Sequence, residues 1–122
     1  MINLSRVYDK EQTGPGLRIL VDKLWPRGLS KTDLKLDKWA KEIAPSDELR
    51  KWFGHEPAKW DEFKARYFAE LNLNPSTADF VELCRGKNVT FLYSSKEDRF
   101  NNAVALKEYV QKKISDKASN LI

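Results

Sequence analysis

The sequence predicts a single α/β domain in which a small mixed or parallel sheet is covered by helices. Three observations carry that expectation. Short apolar or alternating runs at residues 2–8, 17–25 and 89–93 read as strands. The long stretch between the second and third runs has apolar residues at helical spacing, as a parallel crossover requires. No repeat, linker or block of like charge divides the 122 residues, a length that suits one domain spanning 1–122.

Taken in order, Ile2 to Tyr8 alternates apolar and polar residues, the pattern of a half-exposed strand. Residues 11–16, Glu-Gln-Thr-Gly-Pro-Gly, have the composition of a loop. Leu17, Ile19, Leu20 and Val21 form a near-continuous apolar run, so Leu17–Leu24 is expected to be a central strand buried on both faces, with Val89–Tyr93 parallel to it. Pro26-Arg27-Gly28 ends that run. The two leading strands are joined by about eight residues, a length that suits either a hairpin or an irregular crossover.

Leu36, Trp39, Ala40 and Ile43 fall at i, i+3, i+4 and i+7 and predict a helix that Pro45 ends. Ser46 can cap a short helix presenting Leu49, Trp52 and Phe53, stopped by Gly54. Pro57 suits the first turn of a helix with Trp60, Phe63, Tyr67 and Leu71 on one side. Trp39, Trp52 and Trp60 are most simply core residues. Asn74-Pro75-Ser76 opens a further helix through Phe80, Val81 and Cys84, closed by Gly86. After the strand Val89–Tyr93 comes a polar loop, Ser94 to Asp98. Asn101 or Asn102 then caps a last helix with Ala103, Leu106, Val110 and Ile114 inward.

Composition narrows the function classes. Hydrophobic residues at 41% and charged residues at 33% exclude a disordered chain. No apolar run approaches the roughly 18 residues of a transmembrane helix, and the first residues lack a signal pattern, so no membrane association is expected. The single Cys84 has no internal disulfide partner and points to a reducing cytoplasm; it falls on an apolar helical face as a buried, inert thiol. One Cys and one His without paired spacing exclude a structural zinc site, and no cofactor or metal is called for. Asp9, Asp22 and Asp98 show no diagnostic magnesium spacing. Residues 1–31, 32–84 and 85–122 carry net charges of +3, −3 and +4. That balance suits an anionic partner but is modest for a dedicated nucleic-acid binder.

Three segments can carry chemistry. In the first, Val21 to Ser30, Asp22 and Lys23 lie near the end of a buried strand, where an unpaired charge is costly. Arg27, Trp25 and nearby backbone N–H groups can together hold an anion there, at the kind of strand end where α/β sheets gather ligands. A structural pairing of Asp22 with Arg18 is the alternative. In the second segment, Tyr93 to Arg99, Lys96 and the serine hydroxyls beside the last helix suit a phosphate or carboxylate. In the third, Ser46 reads first as a helix cap, although Ser46, His55 and an aspartate have the residue types of a nucleophilic triad. Arg50, one turn later, is the better candidate, as an anion clamp.

The strings Arg6-Val7-Tyr8-Asp9, Leu20-Val21-Asp22-Lys23-Leu24-Trp25-Pro26-Arg27-Gly28 and Ala44-Pro45-Ser46 resemble the YeaO-like family, domain-of-unknown-function group 488. Leu49-Arg50, Phe53, Tyr67 with Glu70-Leu71, and Leu92-Tyr93 leading to Asn102-Ala103 extend the resemblance in register from about residue 2 to residue 111. The resemblance implies an α/β fold in a bacterial-type cytoplasm and assigns no reaction. Relatives often read Ala-Ala-Lys-Asp after the third strand, where this chain has Ser94-Ser95-Lys96-Glu97-Asp98.

These readings point to a site for an anionic small molecule, enzymatic or sensory, at the carboxyl edge of the sheet. Arg6, Tyr8, Trp25, Arg27, Arg50, Tyr93 and Lys96 are its candidate ligand-binding residues. Asp9, Asp22, Ser46 and His55 are the candidate acid, base or nucleophilic groups. The alternatives are a nucleic-acid-binding or regulatory domain that stacks bases on Trp25 and Tyr8, and an interaction module without catalysis.

Overall fold

The computed structural model describes residues 1–9 and 16–120, with side chains described through residue 117. Its elements, in chain order, begin with strands Ile2–Arg6 (β1) and Leu17–Leu20 (β2), helix Lys31–Leu34 (α1) and strand Lys38–Trp39 (β3). Helices Asp47–Phe53 (α2), Trp60–Leu73 (α3) and Thr77–Cys84 (α4), strand Val89–Tyr93 (β4) and helix Asn102–Asn120 (α5) complete them. The sheet order is β1-β4-β2-β3, and every neighbouring pair is parallel. β1 and β2 therefore flank β4 rather than forming a hairpin. All but the last residue of the loop read at 11–16 lies outside the described residues.

A parallel sheet needs cover on both faces, and the strands alternate accordingly. Ile2, Ile19, Val89, Phe91 and Tyr93 join the large core built with α2 to α5. Val7, Leu20 and Leu92 face the other way and bury Leu34 of α1, with Trp25, Leu29, Leu36 and Trp39 packed around them. Ile19 and Leu20 are both fully buried, one on each face, which is why that run has no polar alternation.

The segment from Leu36 to Ile43 corrects the sequence reading. Instead of a helix it forms the two-residue β3 and a 3-10 turn at Lys41–Ile43. β2 would otherwise leave backbone groups unpaired on its outer edge, and Asp37 and Ala40 donate their N–H groups to Arg18 and Leu20 at 2.9 and 2.8 Å. The four apolar residues then divide: Leu36 and Trp39 pack on the smaller core, Ala40 and Ile43 in the larger. One helical face could not serve both. The sequence reading also overlooked α1, whose capping box joins Ser30 and Asp33. The second strand is shorter than the apolar run: its last bond to β4 is from the Val21 N–H to the Leu92 carbonyl, and Asp22 then bonds Ser94 and Asn102.

α2 and α5 begin at side-chain caps, whereas α3 follows a 3-10 turn at Pro57–Lys59 and neither α3 nor α4 has a side-chain cap. The Ser46 hydroxyl accepts the Leu49 N–H, and Gly54, at φ 52°, closes α2. Asn101, fully buried, caps α5 by accepting the Val104 N–H at 3.0 Å. Cys84 is buried against the large core, and burial pushes its thiol up to about 11, so it serves as an apolar filler.

Gly16 enters β2 with φ 79°, and a Cβ there would lie 1.8 Å from the Asn88 carbonyl oxygen. Gly28 has the same φ but open space around it. Gly16→Ala is therefore expected to lower stability by more than about 2 kcal/mol, and Gly28→Ala by about 1–2, from left-handed strain alone. Urea unfolding of the two variants checks the order.

Candidate functional site

Parallel pairing brings the carboxyl ends of β2 and β4 to the same edge, with the first turn of α5 beside them. A cleft of about 410 Å³ opens there, lined by residues that include Asp22, Lys23, Arg50, Lys51, His55 and Asn102. Its floor is aromatic. Phe53 and Phe63 stack at 4.2 Å between ring centres, and the His55 ring lies 5.6 Å from Phe53.

Asp22 stands at the inner wall and accepts three hydrogen bonds. Its Oδ2 accepts the Ser94 N–H at 2.9 Å and the Ser94 hydroxyl at 2.7 Å. Its Oδ1 accepts Asn102 Nδ2 at 3.1 Å, and the same amide also donates to the Val21 carbonyl. The pairing of Asp22 with Arg18 read from sequence gives way to this arrangement, and the Arg18 guanidinium donates instead to the Leu34 carbonyl. Asp22 thus ties β2 to β4 and to α5.

Cations line the same cleft. Arg50 projects from α2, with Nη2 bonded to Asp47 and with Nε buried and without a hydrogen-bond partner. Lys23 Nζ lies 3.1 Å from the same Asp47 oxygen. These bonds from Arg50 and Lys23 hold the Asp47 carboxyl below its usual range. His55, at φ 57°, directs Nδ1 to the Phe100 carbonyl at 3.2 Å. The carbonyl can only accept, so Nδ1–H is the donor of this bond.

Ser46 does not join His55. Its hydroxyl donates to Glu70 Oε2 at 2.6 Å while its N–H donates to Oε1 at 2.9 Å, so the serine clamps α2 onto α3. Of the sequence candidates, the cleft brings together Asp22, Arg50 and His55. Arg6, Tyr8, Asp9, Trp25, Arg27, Tyr93 and Lys96 are not among the described residues lining it.

Several of those form a separate brace. Arg6 Nε donates to the Ser95 carbonyl at 2.9 Å, its guanidinium sits 5.0 Å over the Tyr8 ring, and Tyr8 donates to the Arg27 carbonyl at 3.0 Å. Burial, reinforced by Asp98 and Asp9 and opposed by Arg6, pushes the Tyr93 phenol up. Trp25 donates Nε1 to the Leu29 carbonyl and meets the Trp39 ring edge-on at 5.3 Å. Arg27 and Lys96 are exposed.

Sequence reasoning passed over Ser94 and Asn102 as partners of Asp22, Glu70 as partner of Ser46, and the contribution of Lys51. The signal for the first pair was present: a carboxylate at the end of a buried strand demands donors. Among the described residues, no group of three or more His, Cys, Asp or Glu side chains is placed to hold a metal ion, and no helix is long and apolar enough to cross a membrane.

A family model described as "Inactive DUF488-N3 subclade" matches residues 1–121. The chain is similar to the uncharacterized protein YeaO of Escherichia coli K12, at 42% identity over 111 residues, covering 90% of this chain and 96% of that protein. It is also similar to the uncharacterized protein Rv3073c of Mycobacterium tuberculosis H37Rv, at 35% identity over 105 residues, 86% of this chain and 89% of that one. No solved structure matches it.

Asp22→Ala strands the Ser94 N–H and the Asn102 amide, and is expected to lower stability by about 2–4 kcal/mol. Asp22→Asn keeps the shape but turns an NH₂ toward donors, and should lose nearly as much. Urea unfolding midpoints measure both; a change below about 1 kcal/mol contradicts the role assigned to Asp22.

Proposed function

This chain belongs to the DUF488 family, in the N3 subclade described as inactive, and from that premise we propose that it is a binding domain for an anionic small molecule without catalysis of its own. One observation supports the reading: Lys23, Arg50 and Lys51 line an aromatic-floored cleft whose inner polar groups, Asp22, Ser94 and Asn102, are bonded to one another. Asp22 accepts from Ser94 and Asn102, and the Ser46 hydroxyl is committed to Glu70. Such groups can shape a site, and Ser46, committed to Glu70, is not placed as a nucleophile for His55. An Arg fork and two ammonium groups over an apolar floor fit an organic anion. The binding role is sensory or regulatory, and a cytoplasmic setting fits the unpaired, buried Cys84.

Calorimetric titration with a panel of carboxylates, phosphate esters and a short DNA duplex, at low and physiological salt, tests the proposal. Binding of at least one small anion is expected, weakened about tenfold or more by Arg50→Ala. Lys112→Ala removes one positive charge from an exposed position on α5 and should leave that affinity unchanged. Duplex binding should disappear at physiological salt, because a chain of net charge +4 neutralises few phosphates. No anion binding at either salt, or tight duplex binding at the higher one, overturns the reading.

A further inference from the structure

Asp47, itself not among the described residues lining the cleft, shares one oxygen between two cations that are. Oδ1 accepts from Arg50 Nη2 and lies 3.1 Å from Lys23 Nζ. Lys23 reaches it from the turn after β2, and Arg50 from one turn further along α2, so the carboxylate joins two elements through residues that line the cleft. We infer that Asp47 is an internal counter-anion that competes with the ligand for Lys23 and Arg50, so that the cleft admits a dianion such as a phosphate monoester and turns away a monocarboxylate. This rests on the reading of the cleft as an anion site.

The physical basis is a comparison of competitors. Asp47 is attached to α2 beside its partners, so it occupies them without losing translational freedom. A free monocarboxylate brings the same single charge and loses that freedom on binding, so it cannot displace Asp47. A dianion has about twice the Coulomb attraction to each cation at equal distance, enough to change the order. The incumbent is also displaceable: the side chains of Asp47, Lys23 and Arg50 are 55%, 43% and 33% exposed, and ion pairs so open to water are weak. Arg50 keeps a donor that Asp47 does not use, the unpaired Nε. A phosphate has oxygens enough to take Nε as well as Nη2 once the arginine turns from Asp47.

The test compares two probes with the same ring, phenyl phosphate and benzoate, titrated calorimetrically at about pH 8, where the ester is a dianion. Wild-type protein should bind phenyl phosphate at least about tenfold more tightly than benzoate at low salt. Asp47→Asn should tighten benzoate about tenfold and narrow the ratio between the probes, because both cations lose their resident anion. Asp47→Ser is a second variant that keeps a short polar residue beside the Ser46 cap. Equal binding of the two probes by wild type overturns the inference and leaves the anion site standing. So does benzoate affinity in the variants that stays within about twofold of wild type or falls. Failure of wild type and variants to bind either probe overturns the anion site itself, and the inference with it.

Discussion

Where β2 ends, the chain must place a carboxylate at the inner edge of a parallel sheet, and the solution is to surround it with donors. Ser94 supplies two and Asn102 a third, each within 3.1 Å. Those donors come from the loop after β4 and from the first turn of α5, so one side chain fixes the relative positions of three elements. The Asp22 carbonyl takes the Trp39 indole at 2.8 Å, which joins the smaller core to the same point. Removing the carboxylate would leave donors facing each other in a partly buried space, where an unmade hydrogen bond is expensive. The shape of the cleft follows from this knot, since its inner wall is Asp22, Ser94 and Asn102.

The outer wall is built on a different principle. α2 is only seven residues long and depends on tertiary contacts: the Ser46 cap, the Glu70 clamp, and Leu49 and Phe53 in the large core. It presents Arg50 beside Lys23 and therefore gathers like charges, which Asp47 relieves. Inner and outer walls thus differ in the state of their polar groups. The inner ones are bonded to one another, while Lys23 and Arg50 of the outer wall are held by a solvent-exposed ion pair with Asp47. That contrast is what supports the binding role we propose.

Much of the fold and part of the site were legible in the residues. Val89–Tyr93 and the helices from Ser46, Pro57, Asn74 and Asn101 follow from apolar spacing and caps, which act over a few residues and need no partner. Arg50 was recognisable as a candidate for a cleft it does line, and Asp22 as a charge in need of donors. The residues could not show that Arg27 and Lys96 lie outside the cleft that receives Arg50, because loop direction depends on contacts between distant segments. The brace of Arg6, Tyr8 and Ser95 sets that direction.

By itself the sequence determined the α/β class, the apolar faces, the family and the residue types able to meet an anion. Tertiary structure decided the order of the strands, the fate of the segment around Trp39 and the membership of the cleft. The physical reason is the range of the forces involved. Periodicity and capping are local, and local sequence encodes them. Edge pairing of Lys38–Trp39 on β2, and the meeting of Asp22 with Ser94 and Asn102, join residues far apart in the chain, and only packing the whole chain brings them into contact.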